Sequence, residues 1–154
     1  MEPTITMRTA RREDVPAIVR LLADDMLGAK RERVEEPVAA NYLRAFDEIA
    51  ADPGNELLVA VRGDEVVGCL QLTIIPGLSR VGMKRGQLES VRVGSRHRGA
   101  RVGEQLVLEA IARARAAGCG LVQLTSDSSR TDAQRFYQRL GFVATHVGMK
   151  LSLS

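Results

Sequence analysis

Apolar and polar residues alternate along "TITMRTA", residues 4–10, the period of two that puts successive side chains on opposite faces of a strand. The period then lengthens. In "REDVPAIVRLLADDM", Val15, Ile18, Val19, Leu22 and Met26 recur every three or four positions, which predicts a helix with Asp14 as its N-cap and Pro16 in its first turn. The charged "GAKRERVEE" reads as a mobile connection. Pro37 opens a second helix, "PVAANYLRAFDEIAAD", with Val38, Tyr42, Phe46 and Ile49 along one face and "DPGN" as its stop. In "ELLVAVRGDEVVGCLQLTII" two β-rich runs flank Gly63-Asp64, the pattern of a hairpin. "PGLSRVGMKRG" reads as a loop and "QLESVRV" as a further strand. Val102, Leu106, Val107, Ala110, Ile111 and Ala114 then form one helical stripe that Gly118 ends. "LVQLT" predicts a strand, "TDAQRFYQRL" a short helix, and "FVATHVGMKLSL" a final strand.

The element order is strand, two helices, three strands, helix, strand, helix, strand. Hairpins combined with strand–helix–strand units predict an α/β chain with a mixed sheet and helices on both faces. At 154 residues, residues 1–154 are expected to form a single domain. With no Trp and 3% aromatic residues, the core must be built from Leu, Val, Ile and Ala.

A formal charge of +3 suits an anionic ligand, but the scarcity of aromatics and the lack of a recognition motif argue against a nucleic-acid partner. "MEPTITMRTARRED" has no apolar signal segment, and no run approaches the ~18 apolar residues that span a bilayer, so a cytoplasmic chain without membrane attachment is expected. Cys69 and Cys119 lie outside any CxxC pattern and read as reduced thiols. With His97 and His146 the only histidines, no metal site is expected.

The chemistry concentrates in "ESVRVGSRHRGARVGEQLVLEA", Glu89 to Ala110, where a strand breaks into a basic, glycine-containing turn and resumes as a helix. A helix N-terminus presents unpaired N–H groups and partial positive charge, which suit a phosphate. Gly99 and Gly103 let a ligand approach the backbone, and Arg98 and Arg101 add cationic donors. A solvated basic turn without a ligand fits the same residues. The segment is neither GxxxxGK[ST] nor GxGxxG. No GxSxG elbow occurs, and Cys69 in "VVGCLQL" reads as a small core residue.

"LESVRVGSRHRGARVGEQLV" followed by "RFYQRLGF" resembles the GNAT family of acyl-CoA-dependent N-acetyltransferases, and the element order matches that family from end to end. The family's [RQ]-x-x-G-x-[GA] motif falls on Arg98 to Gly103, and its second motif on Ala133, Phe136, Tyr137, Leu140, Gly141 and Phe142. The resemblance implies a mostly antiparallel sheet flanked by helices, whose fourth and fifth strands splay at a bulge to hold CoA. It places the backbone of Val91 and Val93 beside the pantetheine arm. It places the amides of Arg98, Gly99, Ala100, Arg101, Val102, Gly103 and Glu104 around the pyrophosphate. It also gives a fourth-strand N–H the role of oxyanion donor.

Tyr137, which by itself reads as a core aromatic, takes in the family the role of general acid to the departing thiolate and of cofactor contact. Glu89 is the candidate general base, with a solvated or salt-bridged carboxylate as the other reading. Strict alternation would put Glu89, Val91 and Val93 on one face and Leu88, Ser90 and Arg92 on the other. Two residues depart from the family pattern. Arg101 stands where a Gly is usual, and a helical φ with an outward side chain is expected there. Arg130 stands where many members place an Asn, with Ser128 and Ser129 as neighbouring substitutes. The implied activity is acetyl transfer from acetyl-CoA, the cosubstrate, to a primary amine of a small molecule, amino acid or protein, by direct attack in a ternary complex. A non-catalytic acyl-CoA sensor is the alternative, and a homodimer is what the family implies. Asp24, Asp25, Glu35 and Glu36 would attract a cationic amine, or simply be solvated.

Overall fold

In the computed structural model, which describes residues 4–99 and 101–154, five strands form one sheet in the order β1-β2-β3-β4-β5. β1 (Ile5–Thr9), β2 (Asn55–Arg62), β3 (Glu65–Ile75) and β4 (Lys84–Val93) are successively antiparallel, with Met7 opposite Ala60, Leu58 opposite Leu70, and Leu72 opposite Leu88. β5 (Cys119–Leu124) lies parallel to β4 and forms one edge of the sheet, β1 the other. A parallel neighbour needs a crossover, and α5 (Val102–Ala116) supplies it.

Alternation along the strands sends apolar side chains to both faces. Leu58, Ala60, Val67, Leu70, Leu72 and Leu88 pack against Val102, Leu106, Val107, Ala110 and Ala114 of α5, the expected stripe. Val59, Val61 and Cys69 face the other way, onto Ile18 and Leu21 of α1 (Val15–Ala23) and Phe46 of α3 (Ala40–Ala51). Leu58, Leu70, Leu88 and Leu106 are essentially sealed from water, each worth roughly 1.5–3 kcal/mol of burial. Mixed sheet and two helical layers agree with the reading of the sequence.

The differences are local and have local causes. The first helix is shorter than its apolar spacing predicts: it ends at Ala23, and Met26 lies outside it, exposed. Asp14 occupies the N-cap position without capping, because its carboxylate accepts instead from Arg8 (2.7 and 3.1 Å) and from the Arg11 amide (2.7 Å). The charged connection contains a one-turn helix, α2 (Gly28–Arg31), and the next helix starts at Ala40, three residues after Pro37. Between β3 and β4, α4 (Ser79–Gly82) is a single turn in which Arg80 and Val81 take left-handed angles. β4 starts earlier than "QLESVRV", at Lys84. After α6 (Thr131–Arg139) the expected last strand is not formed: residues 143–154 are exposed and pair with no described strand. No described helix is long and apolar enough to cross a membrane.

Candidate active site

The site begins where the pairing of two strands ends. β4 and β5 pair from Lys84–Cys119 to Leu88–Leu124, where β5 ends, while β4 continues to Val93. The same point carries a bulge: Gln71 lies opposite Glu89 and Cys69 opposite Arg92, so Leu70 faces both Ser90 and Val91. Ser90 absorbs the extra residue at a φ of 55°.

The bulge overturns simple alternation. Val91 and Val93 stay on the α5 side with Leu88. Glu89, opposite Gln71, lies on the other face with Cys69 and its partner Arg92, exposed to solvent. Beside the bulge on that face is a small cavity of about 120 Å³ between α1, α3 and the sheet, lined by Ile18, Tyr42, Leu57, Cys69, Gln71 and Ser90. A larger open groove runs between α1 and the β2–β3 turn and is lined as well by Gly94 to His97, the turn that follows β4.

β4 leads directly into the basic turn. Gly94 donates to the Val67 carbonyl (2.9 Å), and a short 3-10 turn over Ser95–His97 follows. Gly99 has a φ of 88°, and a side chain there would meet no described atom within 4 Å. Arg101 is left-handed too, at a φ of 62°, not helical as expected, because the chain must reverse between the extended Arg98 and the first residue of α5. Its side chain points outward, 3.9 Å from Glu104. Gln105 donates to the Arg101 carbonyl at 3.0 Å, so Val102, Gly103 and Glu104 form the opening turn, whose amides an α-helix does not pair internally. Gly103 faces α6: a Cβ there would sit 3.4 Å from Phe136 and 3.5 Å from Val93. Ala100 lies outside the described residues.

Tyr137 lies on α6, its ring in edge contact with Phe136 (5.1 Å) and Phe142 (5.6 Å) and packed against the α5-side core. Among the described residues nothing pairs with its hydroxyl. Burial raises its pKa above the ordinary 10.0, while the charges of Arg92 and Arg130 pull the other way. The phenol therefore stays protonated.

Three groups that sequence reasoning did not join meet beside Tyr137. Asp25, just after α1, accepts from Arg130 at 2.6 Å and lies 3.3 Å from Arg92 Nε, while its other oxygen takes the Gly28 amide. Burial pushes the Asp25 carboxyl up, but the Gly28 amide, the Arg130 hydrogen bond and the charges of Arg92 and Arg130 outweigh it and hold its pKa below the ordinary 3.8. Asp24 accepts the Ser95 amide at 2.9 Å, and its carbonyl takes Arg98 at 3.0 Å. Asp24 thus ties the end of α1 to the turn before α5, and Asp25 ties it to β4 and to the start of α6, uses that neither attraction of an amine nor simple solvation had anticipated. The signal was the pairing of Asp24-Asp25 with a surplus of arginines, which only the fold brings within reach. Ser129 is held by Asp127 (2.9 and 2.6 Å), and Arg130 by Asp25.

Burial pushes the Cys69 thiol up to about 12, which suits a core residue and not a nucleophile. Among the described residues no three His, Cys, Asp or Glu side chains gather to hold a metal ion.

Residues 16–142 match the model of the acetyltransferase (GNAT) family. The chain is 30% identical over 145 residues to the aminoalkylphosphonate N-acetyltransferase of Salmonella typhimurium, an overlap of 94% of this chain and 88% of that one. Over 88 residues, 57% of this chain and 58% of the other, it is 38% identical to the glucosamine 6-phosphate N-acetyltransferase of Trypanosoma brucei brucei. The crystal structure of a transcriptional regulator from Bacillus halodurans C-125 superposes with a TM-score of 0.95 at 49% identity, over 97% of this chain and 100% of that one. The family match runs from α1 through β4 and β5 to the end of the Tyr137 motif, and on it the chain belongs to the GNAT family of acetyltransferases and is an acyltransferase.

Proposed function

We propose that this acyltransferase moves the acetyl group of acetyl-CoA onto the primary amine of a small acceptor by direct attack in a ternary complex. The observation that carries the reading is the end of β4–β5 pairing at Leu88–Leu124, with the opening turn of α5 at the far end of the same β4. Beyond the end of the ladder β4 offers unpaired backbone groups to an amide-bearing arm, and a helix start offers its amides to a diphosphate. The residues fit that ligand: Gly99 leaves the turn open, and Gly103 keeps the helix start free of a side chain.

In this reading Val91 and Val93 present their backbone to the arm. The amides of Gly99 and of Arg101 to Glu104, with that of Ala100, hold the diphosphate, and Arg98 and Arg101 supply positive charge. The bulge at Ser90 leaves one residue of β4 outside the ladder, and its N–H serves as oxyanion donor. As the amine nitrogen bonds to the carbonyl carbon, the carbon–sulfur bond breaks and Tyr137 gives its proton to the thiolate. Glu89 takes the proton the amine sheds, directly or through water, from the face that holds the small cavity. The products are the N-acetyl amine and free CoA, and solvent returns the two protons to their places.

Two relatives are named for amines that carry phosphonate or phosphate. Those names support an acidic small amine as acceptor; Arg92 lies on the same face as Glu89, with its charge already met by Asp25 at 3.3 Å. The test is thiol release with acetyl-CoA across aminoalkylphosphonates, amino-sugar phosphates, neutral amines and peptide N-termini, with products identified by mass. Release with an acidic amine is expected. Saturable acetyl-CoA binding with no release on any amine overturns the reading in favour of a sensor.

A further inference from the structure

Two arginines share one carboxylate next to the proposed acid. Arg130, the residue before α6, donates to Asp25 Oδ2 at 2.6 Å, and Arg92 on β4 holds its Nε 3.3 Å from the same oxygen. The other Asp25 oxygen accepts the Gly28 amide. Neither arginine forms an ion pair with a second carboxylate among the described residues, so the group carries one positive charge more than its acid cancels. The side chain of Arg92 is 17% exposed, that of Asp25 18% and that of Arg130 29%, and water screens a surplus held there far less than one on the surface. Asp127, which also feels the charge of Arg130, is exposed and turned to Ser129. Donors remain as well: a guanidinium has more N–H groups than the bonds from Arg130 to Asp25 and from Arg92 to the Val91 carbonyl use.

The surplus bears on Tyr137. That residue follows Arg130 by about two turns, which returns it to the same side of α6, and helical side chains lean toward the N-terminus, so the ring leans toward Arg130. Arg92 stands between Val91 and Val93, which pack in the same cluster as Tyr137. β5 ends at Leu124, level with Leu88, so β4 has no strand on that side where Arg92 lies. Both cations reach the phenol, where they oppose the effect of burial. A neutral phenol gains little from two neighbouring cations, whereas an anion formed beside it gains much. The proposed reaction forms one there.

We propose that Arg130, with the charge of Arg92 beside it, receives the leaving sulfur of CoA. As the carbon–sulfur bond breaks, its electron pair passes to sulfur, the guanidinium groups stabilise the resulting thiolate, and Tyr137 protonates it. Asp25 lets the two like charges stand together. The inference rests on the acetyl-CoA reading of the site and adds to it a preference of the protein for the charged form of the product thiol.

Titration of that thiol in the binary complex tests it without any acceptor. The ultraviolet absorbance of the thiolate is followed against pH for CoA bound to the full-length chain. The complex with CoA whose sulfhydryl is replaced by hydrogen is subtracted, so that the protein's own thiols and phenols cancel. A free alkyl thiol titrates at ~8.5. In the complex the midpoint is expected to lie at least about one pH unit lower, a tenfold preference for the thiolate, as cations beside a thiol produce. Arg130→Asn, whose side chain suits the start of a helix, is expected to return most of that shift, and Arg130→Lys, which keeps the charge, to retain it. With an accepting amine, kcat of Arg130→Asn is expected to fall about tenfold with little change in the acetyl-CoA KM. Bound CoA that titrates like free CoA overturns the proposal and leaves acetyl transfer standing. So does an Asn variant that titrates or turns over like the parent, or a Lys variant as unshifted as the Asn one. A chain that binds no CoA overturns this inference and the reading beneath it together.

Discussion

Arg101 shows how far one φ angle reaches. At 62° it sits in a region that costs an L-residue about 1–2 kcal/mol and a glycine almost nothing. Arg101→Gly is expected to raise stability, the relief of strain being partly offset by the glycine's greater unfolded-state freedom. The net gain should be about 0.5–1 kcal/mol, read as a higher denaturation midpoint with an unchanged slope. A lower midpoint counts against the left-handed turn. Tyr137→Phe removes the proposed acid without changing the ring packing, so kcat is expected to fall about tenfold to a hundredfold with little change in the acetyl-CoA KM. Because burial raises the phenol above 10.0, Tyr137 should add no descending limb to the pH–rate profile below that value, and a Tyr137-dependent fall near neutrality would remove it from the role. Glu89→Gln is expected to lower kcat/KM about tenfold at neutral pH. The deficit should narrow as pH nears the amine's own pKa, ~10.4, where the acceptor arrives neutral. A deficit that does not change with pH points to another base.

At the level of elements, two junctions position the site. Asp14 joins β1 to α1 through Arg8 and the Arg11 amide. The hydrogen bond from Arg8 lowers its pKa below the ordinary 3.8, burial opposes this, and the Arg11 amide adds to the lowering. A carboxylate depressed in the folded state contributes stability that is present above its unfolded pKa and lost as pH falls through the folded one. Asp14→Asn is therefore expected to cost about 2 kcal/mol at neutral pH, with the gap to the parent closing in acid below the ordinary carboxylate range. A gap that is constant with pH would show that the charge is not what binds the junction. The other junction is α5 on α6 at Gly103. A Cβ there stays in ordinary contact with Phe136 and Val93, so Gly103→Ala should fold, and its effect reports on the ligand. The acetyl-CoA KM is expected to rise about tenfold with a near-native melting temperature. Unchanged binding would clear the helix start of the diphosphate role.

On the scale of the whole molecule, the sheet serves two layers that do different work. The α5 face carries the stripe from Val102 to Ala114 and the Tyr137 motif, and the opposite face carries Glu89, Arg92 and the small cavity under α1 and α3. The stretch of β4 beyond Leu88, past the end of its pairing with β5, joins the two. That stripe, the Gly63-Asp64 turn and the motif around Arg98 to Gly103 were all readable in the chain, and so was the mixed sheet. The meeting of Asp25, Arg92 and Arg130 was not, since its members come from three distant segments and each alone looks like a surface charge.

By itself the sequence determined what neighbours along the chain decide: the periods of strands and helices, the glycine-bearing helix start, and the two motifs that mark the family. These depend on spacing within a few residues, where backbone geometry leaves little choice. Only the tertiary structure decided the bulge that turned Glu89 away from Val91 and Val93, the left-handed Arg101, the use of Asp24 and Asp25 as ties, and the absence, among the described residues, of a partner strand for residues 143–154. A register, a reversal or a strand's partner is set by free energy gained against groups far away in the chain, and local periodicity carries no record of them.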